Sequence, residues 1–278
     1  MKLRVMEYNV LNGFFDEIEE DVFKFNKERA QCALKIVKQF DPDILVLCEA
    51  SFSPVHAEKA KKLGVNINEY AKLFGYENCF YGKRTKRDGS ALLSKYPLEA
   101  EDYSIDTVSF IRARFNIGQN SLMLDVFHPH PTKISNAGKM NFVKSILRGR
   151  KEPYILCGDF NSVSPEDMYD FKTLEKGFTL LVGKGDASGV VKDILSARTI
   201  RYVLEEGLID SYKKLNKKTS FTCPTKLFEK EKDTSMRLDF IFCSRDIKVL
   251  ESGIIKNKLS DKASDHYPIY SILEIGGR

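Results

Sequence analysis

The sequence contains a series of short apolar runs that are separated by polar and helix-forming segments. Ile44–Cys48 and Tyr154–Cys157 are apolar at every position, and Leu238–Cys243 is apolar except for one aspartate. Runs of this length are too short for typical helices and are typical of strands buried on both faces. Further strands are predicted at Leu3–Asn9, 78–82, 90–94, 108–116, 121–127, Lys248–Ile254 and Pro268–Ile275.

Helical periodicity appears between several of these strands. Residues 28–40 place apolar side chains at i, i+3, i+4 and i+7, and Asp41-Pro42 ends that pattern. Further helices are predicted at 54–74, 164–176 and 192–206, and around Met140, Val143 and Leu147. Many short strands with helices between some of them predict an α+β fold in which two sheets are flanked by helices.

The composition is that of a globular protein, and we expect one domain spanning residues 1–278 because no repeat or linker divides the chain. The 44 basic and 39 acidic residues leave a formal charge of +5, which permits a polyanionic partner without requiring one. The six cysteines form no CxxC pair, and no apolar run approaches the ~18 residues of a membrane span. The N-terminus lacks a signal-peptide pattern, so we expect a cytoplasmic monomer without a transmembrane segment.

Polar side chains recur at or near the ends of the predicted strands. Taken singly, most of them fit turns or loops, because Asn, Asp and Gly favour turns. The exception is the aspartate inside the run RLDFIF, since a carboxylate in an apolar strand carries a large desolvation cost unless it is paired. Recurrence on six strands favours one shared site, made of Asn9, Glu49, His128, Asp159, Asn161, Asp239, Asp265 and His266.

The chemistry of this set is specific. Carboxylate and amide oxygens are the ligands that Mg²⁺ or Mn²⁺ prefers, and histidine beside carboxylate suits proton transfer. The chain contains no GxSxG motif and no GxxxxGK[ST] phosphate loop. The residues therefore point to metal-assisted hydrolysis by water, most plausibly of a phosphate ester.

Eight ordered motifs resemble the endonuclease/exonuclease/phosphatase superfamily, which includes DNase I-like nucleases, abasic-site endonucleases, sphingomyelinases and inositol polyphosphate 5-phosphatases. The resemblance implies a four-layer α/β sandwich, with two packed mixed β-sheets flanked by helices. It extends from residue 4 to about 275 through YNVLNG (8–13), LCEA (47–50), GSALLSKYPL (89–98), DVFHPHP (125–131), GDFNS (158–162), FTCPT (221–225), RLDFIF (237–242) and SDHYPI (264–269).

The resemblance also implies roles for the site residues. Glu49 resembles the principal Mg²⁺ ligand, with Asn9 beside it, and Asp265 resembles a further carboxylate that binds the metal or orients the water. Asp159 and Asn161 resemble the pair that orients the attacking water. His266 resembles the histidine that contacts the phosphate, and Asp239 the partner that fixes its tautomer. His128 matches the position where phosphatase-like and DNase I-like members carry histidine, and it is preferred over His130 because it follows the predicted strand directly.

Two departures argue against a dedicated abasic-site enzyme. The chain has no Trp, although those enzymes commonly use an aromatic pocket, and Leu11 occupies a position where they commonly carry an acidic residue. Segments 50–75 and 183–236 are longer than in compact members, and substrate choice in this family resides in such loops.

Basic residues precede the GSALLS strand. We assign Arg84, Arg87 and Ser90 to substrate binding, because a basic loop here suits a polyanion; a solvated charged turn is the alternative.

Three functions remain open at this point. The first is a Mg²⁺-dependent nuclease that hydrolyses phosphodiester bonds of DNA or RNA. The second is a phosphatase or phospholipase-C-like hydrolase of a small phosphorylated molecule or lipid head group. A binding scaffold without catalysis is the third, and the complete set of site residues argues against it.

Overall fold

The apolar runs form the central strands of two β-sheets in the computed structural model, which describes residues 1–19, 22–50, 67–84, 89–118 and 120–276. The strands are β1 (Lys2–Asn9), β2 (Phe15–Glu19), β3 (Val22–Phe25), β4 (Ile44–Cys48), β5 (Asn78–Lys83), β6 (Gly89–Ser94), β7 (Leu98–Asp102), β8 (Val108–Ile117), β9 (Asn120–Pro129), β10 (Tyr154–Asp159), β11 (Ile209–Asp210), β12 (Asp239–Cys243), β13 (Lys248–Ile254) and β14 (Ile269–Glu274). The helices are α1 (Lys27–Phe40), α2 (Ile67–Phe74), α3 (Asn136–Arg148), α4 (Phe171–Val182), α5 (Lys184–Leu195), α6 (Arg198–Glu205), α7 (Ser211–Leu215) and α8 (Ser260–Ala263).

Both sheets are mixed. Among the described residues, one sheet has the order β13-β14-β1-β4-β6-β5 and the other β11-β12-β10-β9-β8-β7. The pairs β1–β4 and β9–β10 are parallel, and a helix connects the two strands of each pair. The carboxyl ends of each parallel pair therefore lie at the same edge of their sheet.

Three large apolar clusters separate four layers. The inter-sheet core contains Val5, Val46, Leu124 and Ile241 from the facing sides of both sheets. The outer face of the first sheet packs against α1 and α2, and the outer face of the second packs against α3 and α6. The four-layer α/β sandwich predicted from the sequence is confirmed.

A fourth, smaller cluster places α4 and α5 at one end of the second sheet. Leu174 of α4 and Val191 of α5 pack there with Met236 and Leu238, which immediately precede β12. Within the described part of the chain, no helix is long and apolar enough to cross a membrane.

Two of the predicted helices have wrong limits. The helix predicted at 164–176 begins at Phe171, because the side chain of Asp170 accepts a hydrogen bond from Thr173 N and caps the first turn. The helix predicted at 192–206 is two helices, since Ala197 adopts a left-handed conformation between α5 and α6. Part of the helix predicted at 54–74 is present as α2; positions 51–66 lie outside the described residues.

Four strands were not predicted, and one of them, β11, has only two residues. The strands β2 and β3 pair as a separate hairpin, and β7 is an edge strand that is mostly exposed or half-buried. Edge and hairpin strands with polar faces lack the continuous apolar pattern of central strands.

Candidate active site

Four strand ends bring polar side chains together where the two sheets face each other. In the first sheet, Asn9 ends β1 opposite Cys48, which ends β4 and is followed by Glu49. In the second sheet, Asp159 ends β10 directly opposite Asp239, which begins β12. The site is therefore shared between the sheets, and strand register fixes the position of each backbone.

The Asn9 amide connects the two sheets. Its Nδ2 donates to Asp159 Oδ2 at 3.0 Å and to Glu49 Oε1 at 3.3 Å, while its Oδ1 accepts from Leu11 N at 3.0 Å. In this arrangement Asn9 orients two carboxylates that come from different sheets. Its assignment as a metal ligand stays a prediction.

Glu49 adopts a left-handed backbone conformation, with φ of 55°, immediately after β4. Such a conformation costs free energy for a residue other than glycine and is concentrated at functional sites. Its Oε2 accepts from Asn12 N at 3.3 Å. Burial, followed by the charge of Asp265, raises the pKa of the Glu49 carboxyl. A bound cation would offset this unfavourable negative charge.

Asp159 accepts three hydrogen bonds from the side chain of Asn9 and from Asn161. Asn161 donates to it from the backbone N, 2.8 Å from Oδ1, and from Nδ2, 3.3 Å from Oδ2. Nε2 of His128 and Nε2 of His266 each lie 3.9 Å from Asp159 Oδ2. Burial and the charge of Asp239 raise the pKa of Asp159 to about 7. A carboxyl with this pKa can exchange a proton near neutral pH.

The end of β10 and the turn that follows it depend on Gly158 and Asn161. Gly158 has φ of +142°, and a Cβ there would lie 2.2 Å from the carbonyl oxygen of Phe127. Asn161 also has a positive φ, 45°, and its Nδ2 donates to Pro129 O at 3.0 Å. The turn is thus fixed against the end of β9, the strand that carries His128.

Asp239 and His266 form a buried pair. His266 Nδ1 lies 2.7 Å from Asp239 Oδ2, which leaves Nε2 on the side of Asp159. Burial alone would lower the pKa of His266, but the charge of Asp239 and further charges of Asp265 and Asp159 raise it well above its usual value. His266 is therefore held as a cation whose Nε2 is a donor.

The Ser264 hydroxyl fixes the segment between α8 and β14. Its Oγ donates to the backbone oxygen of Asn9 at 2.7 Å and lies 3.1 Å from Asp265 Oδ1. The backbone N of His266 donates to the same hydroxyl at 3.4 Å. This network joins the segment to the end of β1 and brings Asp265, which is half-buried, to the side of Glu49.

The sequence predicted that His128 follows a strand. In the structure it lies within β9, because that strand continues to Pro129. The imidazole is fully buried, and burial together with the charge of Arg84 lowers its pKa well below the usual value. His128 is therefore neutral. His130 has a local role, since its Nδ1 accepts from Thr132 N and Lys133 N.

The basic loop is only partly described. Arg84 is 6% exposed, which excludes a solvated charged turn for this residue, and its charge acts on the pKa of both His128 and Glu49. Ser90 is buried in β6. Arg87 lies outside the described residues. Substrate binding by these three residues stays a prediction.

Two buried ionisable residues of the site were not predicted. Lys139 Nζ donates to Asn161 O at 2.6 Å and to Pro131 O at 3.2 Å, and burial lowers its pKa to about 8. Its position on the face of α3 that also carries Val143 is the signal that could have identified it. Glu7 is buried in β1, where burial and the charges of Asp239 and Asp159 raise its pKa well above the usual value.

A comparison with models of protein families identifies the family of this chain. Residues 6–266 match the model of the Endonuclease/Exonuclease/phosphatase family. The chain belongs to this family. No curated protein matches the sequence at a significant level.

Solved structures of family-like proteins share the fold across nearly the whole chain. An AP endonuclease from Archaeoglobus fulgidus is 18% identical, with 98% of this chain and 100% of that chain covered and a TM-score of 0.66. D. rerio TDP2 in complex with a single-strand DNA product is 18% identical, with 98% and 99% covered and a TM-score of 0.59. ANGEL2, a 2′,3′-cyclic phosphatase, is 18% identical, with 98% and 95% covered and a TM-score of 0.60. At these identities the similarity establishes the fold.

The donor set of this family member fits a divalent cation. Glu49, Asp159, Asp239 and Asp265 offer hard oxygen ligands, and Asn9 Nδ2 donates to both Glu49 and Asp159. The ligand atoms of Asp159, Asp239 and His266 lie within 4.8 Å of one another, as do those of Cys223, Asp265 and His266. Neither group contains Glu49, and both contain His266, which is held as a cation and does not ligate a metal; burial also raises the pKa of Cys223 to about 11 and keeps its thiol protonated. The carboxylates of Glu49 and Asp265 are therefore the donors that fit a cation.

Proposed function

We propose that this protein is a divalent-metal-dependent phosphodiesterase that acts on nucleic acid by in-line attack of water, with Mg²⁺ as the cofactor and Mn²⁺ as a substitute. The observation that carries this proposal is the convergence of Glu49, Asp159 and the Asp239–His266 pair at one point between the sheets. These groups provide a cation site, a base and a cationic donor within one volume.

Glu49 and Asp265 are the residues that would hold the metal. Asn9 orients Glu49 and Asp159 through its Nδ2, as the distances of 3.3 and 3.0 Å indicate. A bound divalent ion supplies charge neutralisation at the phosphate oxygens. The identity of the metal is part of the proposal.

Asp159 is proposed as the general base. Asn161 and Asn9 fix its carboxylate by three hydrogen bonds, and its pKa of about 7 suits removal of a proton from water at neutral pH. Correct orientation of the base contributes a large part of the rate enhancement in reactions of this kind.

The two histidines are proposed to stabilise charge on the phosphate. His266 is cationic because of Asp239 and donates from Nε2, whereas His128 is neutral and approaches Asp159 from the other side. Preorganised donors of this kind stabilise the charge that develops in the transition state.

Nucleic acid is the preferred substrate for two reasons. Structural neighbours include proteins named as an AP endonuclease and as TDP2 with a single-strand DNA product. The chain also carries a formal charge of +5. A small phosphate ester is the second candidate, because His128 occupies a phosphatase-like position and ANGEL2 is named as a 2′,3′-cyclic phosphatase.

The test is nicking of supercoiled plasmid DNA in the presence of Mg²⁺. We expect EDTA to abolish nicking and Asp159→Asn to lower the rate at least ~10²-fold, the low end for a general base. Asp41→Asn is the matched control, because Asp41 is exposed and precedes β4 at the end opposite Glu49. Nicking that persists in EDTA, or an Asp159→Asn variant with wild-type rate, would contradict the proposal.

A further inference from the structure

Lys139 is a buried cation beside the candidate active site, and the chemistry proposed above assigns it no task. It lies on α3 and is 1% exposed. Removing an ammonium group from water is costly unless polar groups of the protein replace the lost hydrogen bonds. The contacts of this ammonium group therefore indicate why a lysine occupies the position.

The ammonium group joins the turns that follow two neighbouring strands. Its Nζ donates to Asn161 O at 2.6 Å and to Pro131 O at 3.2 Å. Asn161 lies shortly after the end of β10, and Pro131 lies shortly after the end of β9. Hydrogen bonds from a charged donor are stronger than those between neutral groups. Lys139 therefore ties the turn after β10 to the turn after β9.

The turn after β10 also carries the donors that orient Asp159. Asn161 has a φ of 45°, which costs free energy for a residue other than glycine. Its backbone N lies 2.8 Å from Asp159 Oδ1, and its Nδ2 lies 3.3 Å from Asp159 Oδ2. A contact that holds the backbone of Asn161 therefore fixes both of these donors at once.

The surrounding charges favour the cationic form of Lys139. Burial lowers its pKa to about 8, against the charges of Asp159 and Asp193, which raise it. The ammonium form therefore predominates at neutral pH. Asp193 is itself fixed at the start of α3, because its Oδ2 accepts from Asn136 N at 2.9 Å.

We propose that Lys139 is a positioning residue for hydrolysis: its ammonium group holds the backbone of Asn161 and thereby orients the Asp159 carboxylate, without contacting the substrate. This inference rests on the proposed function, in which Asp159 is the general base. The alternative, in which the ammonium group binds a phosphate of the substrate, predicts weaker binding, and kinetics separate the two roles.

Three variants test this role. Lys139→Met removes the charge and the donors and keeps most of the length of the side chain. Lys139→Gln removes the charge and keeps an amide donor, and it is measured in parallel so that the test stands where Lys139→Met does not fold. Lys144→Met is the matched control on the same helix, because Lys144 Nζ lies 5.1 Å from the ring of Tyr202 on α6.

The first measurement is Mg²⁺-dependent nicking of supercoiled plasmid DNA with enzyme in excess, at increasing enzyme concentration. We expect Lys139→Met to lower the maximal rate at least about tenfold, because a small displacement of a catalytic group has an effect of this size or larger. The half-saturating enzyme concentration should change within about twofold. A merely structural role would reduce the folded fraction, which raises this concentration and leaves the maximal rate unchanged. Lys139→Gln should lower the maximal rate in the same direction, and Lys144→Met should keep both quantities within about twofold.

The second measurement does not depend on the substrate. Amide hydrogen exchange is followed by NMR in EDTA at Asn161 N, which donates to Asp159, and at Phe160 N, which donates to Leu238 O at 2.8 Å. We expect Lys139→Met to speed exchange at Asn161 at least about tenfold, because the turn loses a charge-assisted hydrogen bond. Exchange at Phe160 should change within about twofold, because its partner lies outside this turn.

Failures of the two proposals are distinguishable. A wild-type maximal rate in Lys139→Met, or unchanged exchange at Asn161, would overturn positioning and leave the nuclease intact. A raised half-saturating concentration with an unchanged maximal rate would also overturn it, in favour of substrate binding or a structural role. Absence of nicking by the wild type would overturn the proposed function, and the exchange rates would still decide whether Lys139 holds the turn.

Discussion

At the scale of single residues, the site is a set of buried charges that tune one another. Asp159 is raised to a pKa of about 7 by burial and by Asp239, while the same Asp239 charge keeps His266 cationic. One carboxylate thus raises the pKa of both a neighbouring acid and a neighbouring base. The result is a base and a donor that are both suitable near neutral pH.

The first prediction concerns the Asp239–His266 pair. Asp239→Asn removes the negative charge 2.7 Å from Nδ1, so the charged imidazole loses its main stabilisation against burial. We expect the pKa of His266 to fall, because a close opposite charge favours the charged imidazole and the variant lacks that charge. The measurement is NMR titration of the histidine ring protons in EDTA, which is practical because the chain has four histidines.

His130 provides the internal control for this titration. Its Nδ1 accepts from Thr132 N and Lys133 N, so its ring-proton signals report whether the fold of this turn is preserved in the variant. An unchanged pKa for His266 would show that Asp239 does not hold the proton of this imidazole.

Site residues could be predicted from the sequence where they follow or interrupt a continuous apolar run. Asp239 and Asp159 stand out because they follow or interrupt runs that must be buried. Lys139 and Glu7 were missed, since the apolar residues around them indicate burial but not which groups they meet in the fold. Contacts such as that between Asn9 and Asp159, which are 150 positions apart, depend on strand order.

At the scale of elements, two tight turns hold site residues in conformations that few residues adopt. Glu49, with φ of 55°, directly follows β4. Asn161, with φ of 45°, lies two residues after the end of β10. The free energy for this strain comes from the central strands, whose side chains are fully buried.

The second prediction concerns Gly158, near the end of β10. Gly158→Ala should lower the free energy of unfolding by at least about 3 kcal/mol, because the new Cβ combines an unfavourable φ with a contact of 2.2 Å to Phe127 O. Gly118→Ala is the matched control; its φ is +62°, a Cβ there meets no atom within 4 Å, and we expect a loss of about 1–2 kcal/mol. Urea denaturation of both variants provides the comparison, and equal losses would contradict a steric role for Gly158.

Sequence patterns predicted central elements better than peripheral ones. Ile44–Cys48 and Tyr154–Cys157 form β4 and the main part of β10, because strands buried on both faces require apolar residues throughout. The edge strand β7 escaped detection because its face is solvated. The start of α4 was missed because the Asp170 cap, and not the apolar pattern, determines where that helix begins.

At the scale of the whole molecule, each sheet contributes one half of the site. The first sheet provides Asn9 and Glu49, the second provides Asp159, Asp239 and His128, and the segment before β14 provides Asp265 and His266. The inter-sheet core therefore determines the distance between the candidate metal ligands and the candidate base. Neither half has the full set of groups for the reaction.

The most direct test of this account is a double-mutant cycle between the two sheets. Glu49→Gln, Asp159→Asn and the double variant are compared by the rate of Mg²⁺-dependent plasmid nicking. If both residues act on the same phosphate, the double variant should be about as slow as the slower single variant, because residues that act as a unit are strongly non-additive. Losses that multiply, so that the double variant is slower by the product of the two single effects, would contradict a single shared active site.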